Sequence, residues 1–249
     1  MLHLAQHIRT RLRDGRPIAT TVQERRLAMR TIFRLAGDNH LLAVALVDAH
    51  LHLLANCSPK VASALVHRIE ASLKQQLGLG VGFVMYPHEP VRDARHLRHA
   101  FRYVLTQHDH HDLQTDPYRE STNLPDLLGL RLVGCATHAN VRRWLPRISR
   151  AQLLGWLGAP RLEPADGPLE TVVKAALAAA CLGELHGSSR PVQEARRAIM
   201  AVVGDRLTVA EVVAALSVGE RTVFRLKHGA ADPRLVQAVR LQLGLLNCS

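Results

Sequence analysis

The sequence predicts an α+β chain in two parts: helices laid against a mainly antiparallel sheet, then an all-helical extension. Three observations carry this. Short apolar runs and amphipathic runs alternate in the order β-α-β-β-α-β-α to about residue 130, and every periodic stretch beyond it is helical. The run LLAVALVDAHLHLLANC, residues 41–57, is nearly uncharged and too long for one strand of about five or six residues. Hydrophobic residues make up 47% of the 249, ample for a core; aromatics are only 4%, so Leu, Ala and Val must fill it.

Taken in order, residues 2–9 read as an edge strand and Asp14-Gly15 as a turn. Thr21-Val22-Gln23-Glu24 forms a capping box for a helix to about Ala36, stopped by Gly37. Residues 41–55 read as two strands bent near Asp48, with the histidines on the second. Ser58 and Pro59 open a helix whose buried stripe is Val61, Leu65, Ile69 and Leu73, ending at Gly78. Residues 81–86 read as a short strand, and Pro87 and Pro90 as loop punctuation. Asp93 caps a helix running on to about Asp109, and residues 117–129 read as a polar connection.

After residue 130 come short helices at 141–145 and 149–157. Pro160, Pro164, Gly167 and Pro168 mark a linker over 159–168, between a domain of residues 1–158 and one of 169–249. Helices follow at 169–185 and 191–203. Residues 208–227 then have the cadence of a helix-turn-helix: a helix to Leu216, a turn at 217–219, and a second helix from Glu220 to Lys227. A last helix spans 233–246.

Lys and Arg number 32 against 21 Asp and Glu, a formal charge of +11. That excess points to a polyanionic partner, nucleic acid first. Cys57, Cys135, Cys181 and Cys248 form no CxxC pair, so the chain reads as neither a disulfide framework nor a zinc ribbon but as reduced thiols in a cytoplasm. The N-terminus lacks the continuous apolar core of a signal peptide, and no run of about 18 apolar residues spans a membrane.

Side chains alternate along a strand, so His50 and His52 share a face. Two imidazoles side by side make half a metal site. Tyr103 and Gln107, four apart, share a helix face. A phenol can be a covalent nucleophile, and a Gln carbonyl oxygen could be the third ligand beside His50 and His52. A metal there would polarise a phosphodiester. Arg92, Arg95, Arg98 and Arg102 form a basic stripe near Tyr103, and Arg221, Arg225 and Lys227 lie on the second helix of the C-terminal pair; all seven are candidate DNA contacts. Asp48 either orients a histidine or serves the bend. The run His108-Asp109-His110-His111-Asp112 reads as a fraying helix end rather than a second metal site.

LLAVALVDAHLHLL, then RYVLTQ about fifty residues on with one helix and one strand between, then DPYRESTNLPDLLGLR, together resemble the single-tyrosine HUH transposases, and most closely their REP-associated branch, over about residues 1–158. The resemblance implies a ferredoxin-like antiparallel sheet, that is, an HUH nuclease domain. It implies cleavage and rejoining of single-stranded DNA at hairpin or palindromic sites, with a 5′-phosphotyrosine at Tyr103 and a free 3′-OH. It implies Mg²⁺ or Mn²⁺, and nitrogen ligands favour Mn²⁺. A prokaryotic, cytoplasmic, nucleoid-associated monomer or homodimer is expected. The chain departs from the family at Asp48-Ala49, where relatives carry Pro-Asn or Asp-Asn, and at Gln107-His108, where many carry Asn-Pro.

Two other functions compete. Asp48-Ala49-His50-Leu51-His52 also looks like the Asp-x-His-x-His opening of metal-dependent amidohydrolases, but those are eight-stranded barrels and the helical C-terminal part leaves too few strands. A decayed transposase could survive as a DNA-binding regulator; the intact His50, His52, Tyr103 and Gln107 argue for catalysis.

Overall fold

A computed structural model describes residues 4–37, 40–107, 109, 116, 118–159 and 161–247. The chain is α+β. Chain contacts divide it into two compact units: residues 1–128 with 134–158, and residues 129–133 with 159–249.

The first unit is built on a small antiparallel sheet. Its elements run β1 (Ala5–Leu12), α1 (Val22–Ala36), β2 (Leu41–Val47), β3 (His50–Ala55), α2 (Pro59–Gln76), β4 (Phe83–Met85), β5 (Glu89–Val91) and α3 (Ala94–Leu105). Strand order is β2-β3-β1-β4, with β5 also paired to β1, and every pairing is antiparallel. β2 and β3 form a hairpin turned by Asp48 and Ala49. Asp48 takes a left-handed φ of 53°, which Asp tolerates better than most residues, and its carbonyl accepts from the Ile18 N–H at 3.0 Å. The side chain is exposed, so Asp48 serves the bend and does not orient a histidine from within the fold.

β1 corrects the expected edge strand: it starts three residues later and lies inside the sheet. His7, Arg9 and Arg11 line one face of this interior strand. The loop expected at Pro87–Pro90 contains β5. Proline suits this sheet margin because β5 pairs on one side only, with β1.

The caps follow the sequence. Thr21 accepts from the Glu24 N–H, and Glu24 returns to the Thr21 N–H. On α2, Leu65, Ile69 and Leu73 are buried as expected, but Val61, in the first turn, is 42% exposed. Thr10 on β1 donates to Glu70 on α2, and Thr31 on α1 donates to Gln76 on α2. These contacts put α2, with α1 beside it, over the sheet face that carries Thr10.

Residues 120–128 of the segment expected as a polar connection are buried. Ser121, Thr122 and Asn123 dock on the outer edge of β2: Leu46 N–H donates to the Ser121 carbonyl, and the Asn123 side chain bonds both Val44 N–H and the Leu42 carbonyl. Polar residues were needed here because an edge strand presents unpaired backbone groups. Glu120 forms a buried bidentate pair with Arg26 of α1, at 2.5 and 2.6 Å. Helices α4 (Leu124–Leu128), α5 (Ala136–Trp144) and α6 (Arg150–Leu157) complete the unit.

The second unit holds α7 (Leu169–Ala179), α8 (Arg190–Val203), a single 3₁₀ turn, α9 (Val209–Leu216), α10 (Glu220–Lys227) and α11 (Pro233–Asn247). Small residues such as Ala175, Ala176, Ala179, Ala198 and Ala238 sit among Ile199, Val223, Val239 and Leu243 in its core. The expected linker is not free chain. Ala165 N–H donates to the Arg240 carbonyl, and Gly244 faces the Glu163 carbonyl where any Cβ would collide. No helix of the described residues is long and apolar enough to cross a membrane.

Removing one partner of a buried ion pair strands the other charge. Glu120→Ala should therefore cost about 3 kcal/mol in a denaturant titration, and the double change Arg26→Met with Glu120→Leu should recover much of it.

Candidate active site

Strand register assembles the site. Residues directly opposite in an antiparallel pair point to the same side. Arg9 stands opposite His52, Arg11 opposite His50 and His7 opposite Glu89. One face thus carries His7, Arg9, Arg11, His50, His52 and Glu89. The other carries the fully buried Ile8, Thr10, Leu51 and Leu53.

α3 lies over the histidine face. Asp93 caps it by accepting from the His96 N–H at 2.8 Å. Leu97, Phe101, Val104 and Leu105 are buried, and the next stripe round, His96, His99, Ala100 and Tyr103, opens on a cavity of about 380 Å³ shared with His7, Arg9 and Glu89. Tyr103 is 42% exposed. Its ring stands edge-on to His52, with centroids 6.0 Å apart, and to His7, at 5.8 Å. The His50 and His52 rings are 6.2 Å apart. The phenol is therefore beside the imidazoles, on the solvent side of them.

His7 joins the group, and the sequence reading had passed over it. Its Nε2 lies 3.3 Å from His52 Nδ1, the two rings stack at 5.6 Å, and its Nδ1 lies 3.7 Å from a Glu89 oxygen. The other Glu89 oxygen lies 3.8 Å from His96 Nε2. Burial pushes His7 down to about 4, against the opposing pull of the Glu89 carboxylate. Neutral His7 can accept from His52 Nδ1–H through Nε2 while its own Nδ1–H faces Glu89. That tautomer leaves His52 Nε2 to carry a lone pair. The signal in the sequence was period two: His7, Arg9 and Arg11 alternate with Ile8, Thr10 and Leu12.

Gln107 is placed differently from the expectation. α3 stops at Leu105 with Thr106 as its C-cap, so Gln107 lies beyond the helix. It is 2% exposed, and its amide nitrogen donates to the Tyr103 carbonyl at 3.1 Å. The side chain thus ties itself to a carbonyl of the last turn of α3. That bond engages the amide nitrogen; the amide oxygen is the atom a metal would take.

Among the described residues no three His, Cys, Asp or Glu side chains form a metal-holding group. What the face offers a cation is the His50/His52 pair, two imidazoles on one strand. His108 and residues 110–112 lie outside the described residues; Asp109 pairs with Arg119 at 2.6 Å.

The expected cationic residues are exposed. Arg95, Arg98 and Arg102 lie on α3, but Arg92 precedes the cap and is not part of the helical stripe. Arg221, Arg225 and Lys227 are exposed on α10, in the other unit. No protein-family model, curated protein or solved structure matches the chain.

The unfolded chain binds a proton at His7 below about pH 6.5 that the folded chain refuses until about pH 4. Stability is therefore full above this window and falls as pH drops through it. Denaturation midpoints between pH 7.5 and 4.5 should fall less steeply for His7→Gln than for the unchanged chain.

Proposed function

We propose that the chain is a metal-dependent, tyrosine-nucleophile DNA endonuclease and strand transferase acting on single strands, of the HUH transposase type. The observation that carries this reading is the position of Tyr103: a solvent-open phenol edge-on to His52, on the sheet face that also holds His50. The strand order gives further support. A β-α-β-β-α-β path with order β2-β3-β1-β4 is that of the ferredoxin-like split βαβ arrangement. The antiparallel sheet does not fit the parallel eight-stranded barrel in which an amidohydrolase would carry its Asp-x-His-x-His motif.

In this reading the Tyr103 oxygen attacks a backbone phosphorus. The phosphorus–O3′ bond breaks, the 3′ oxygen leaves as a hydroxyl, and the 5′ phosphate stays on the phenol. A 3′-OH attacking that phosphotyrosine rejoins the strand. His50 and His52 would hold Mn²⁺ or Mg²⁺, with the amide oxygen of Gln107 as a third ligand. The bound ion would polarise the phosphoryl oxygen. His7 holds His52 in one orientation by its Nδ1, and Glu89 backs His7. Arg95, Arg98 and Arg102 offer a cationic track beside the phenol for the strand.

The α9–α10 pair, joined by a three-residue turn with Ser217 at φ 49°, fits a helix-turn-helix. Arg221, Arg225 and Lys227 then lie on the helix that would meet duplex DNA. This suggests target binding by one unit and strand chemistry by the other.

The test is incubation with single-stranded hairpin oligonucleotides and Mn²⁺, read as a covalent protein–DNA band on a denaturing gel. The band should form, be stronger with Mn²⁺ than Mg²⁺ and vanish with chelator. Tyr103→Phe should abolish it, and His50→Ala with His52→Ala should reduce it about a hundredfold, as loss of several kcal/mol of electrophilic assistance requires. No band from the unchanged chain, together with duplex binding that survives Tyr103→Phe, would favour a non-catalytic regulator.

A further inference from the structure

β1 carries two arginines on the histidine face that make no ion pair among the described residues. Arg9 stands opposite His52 and Arg11 opposite His50. Both guanidinium groups lie over one ring, that of Tyr86, at 5.6 and 5.8 Å from its centroid. Tyr86 is fixed in turn, because its N–H donates to the Arg9 carbonyl at 3.0 Å. Arginine planes stack on aromatic faces, so two flexible cations are held in place by one half-buried tyrosine.

A solvated arginine would not look like this. Arg9 is half-buried, and its Nε is shielded from solvent with no hydrogen-bond partner among the described residues. A buried charged donor without a partner is costly unless something else compensates it. Glu89, the acid this face carries, stands opposite His7 and faces His7 and His96. Arg9 also lines the cavity onto which Tyr103 opens. A guanidinium presents a planar fork of donors, which matches the oxygens of a phosphate.

We propose that Arg9 and Arg11, stacked on Tyr86, form a phosphate clamp that grips the sugar–phosphate backbone of a single strand beside Tyr103. That the anion is a nucleic-acid strand rests on the function proposed above; that the site is anionic in preference rests on the geometry alone. The clamp differs from the α3 stripe in kind. Its cations lie in the sheet layer, abreast of the imidazoles, where they can hold the strand at the reacting position.

Binding of a fluorescent single-stranded oligonucleotide, followed by anisotropy in the Tyr103→Phe background with chelator present, separates binding from cleavage. Arg9→Gln with Arg11→Gln should weaken affinity at least about tenfold near 0.1 M salt and lower the slope of log affinity against log salt by about one to two. Arg34→Gln, an exposed arginine on α1, should change neither. Unchanged affinity and salt slope in the double variant would overturn the clamp. A second measurement needs no variant: arginine modification by phenylglyoxal, mapped by peptide mass spectrometry. The oligonucleotide should protect Arg9 and Arg11. No protection, or equal protection by a free mononucleotide at the same phosphate concentration, would overturn the strand assignment. The two readings fail separately. A phosphotyrosine band undiminished by the double variant sinks the clamp and spares the nuclease, whereas protected arginines with no such band spare the clamp and sink the nuclease.

Discussion

The register of β1 against β3 decides which side chains meet around the candidate site. With Arg9 opposite His52 and Arg11 opposite His50, the imidazoles and guanidiniums fall on one face and Leu51, Leu53, Ile8 and Thr10 on the other. A slip of one residue would drive the histidines under α2 and turn the leucines toward α3. Burying a leucine side chain is worth about 1.5–3 kcal/mol, so Leu51 and Leu53 alone strongly favour the observed pairing. Backbone bonds beyond the ladder fix both ends of β1: Leu12 N–H to the Ala49 carbonyl at 3.1 Å, and Leu4 N–H to the Val91 carbonyl at 2.9 Å. The polar face is therefore set by the apolar one.

From that register the site follows with few further parts. α3 crosses the histidine face with its apolar stripe inward, and the adjoining stripe brings Tyr103 to the edge of the imidazole group. His7 then stands between His52 and Glu89 and ties the ends of two strands into one polar cluster. Buried Asp116 and residues 120–123 play the matching role at the β2 edge of the sheet. The Asp116 carboxylate accepts from Glu120 and Ser121 N–H, and the segment closes the β2 edge. Both faces and one edge of a small sheet are thus occupied, and a cavity stays open beside Tyr103.

Local signals in the sequence told most of the helices and the hairpin. The capping box at Thr21, the Ser58-Pro59 start and the overlong run 41–55 each have one physical reading, and His50, His52 and Tyr103 follow from periodicity within single elements. What escaped was non-local. His7 gains its meaning only from the strand that lies beside it. Glu89 and His96 meet through an ion-pair distance between β5 and α3. Gln107 shares the spacing of a helix face with Tyr103, yet the helix ends first and the amide closes onto it. The segment 117–129 reads as a polar connection because its composition is loop-like, and the unpaired edge of β2 explains the burial of Ser121, Thr122 and Asn123 within it.

The central claim is that a cation gripped by His50 and His52 sits within reach of the Tyr103 phenol. Paramagnetic broadening by Mn²⁺ tests it without DNA or turnover. In protein labelled at His and Tyr, substoichiometric Mn²⁺ should broaden the ring signals of His50, His52 and Tyr103 first and leave His67, on α2 across the sheet, sharp. Early broadening of His67 with the His50, His52 and Tyr103 signals intact would contradict the account.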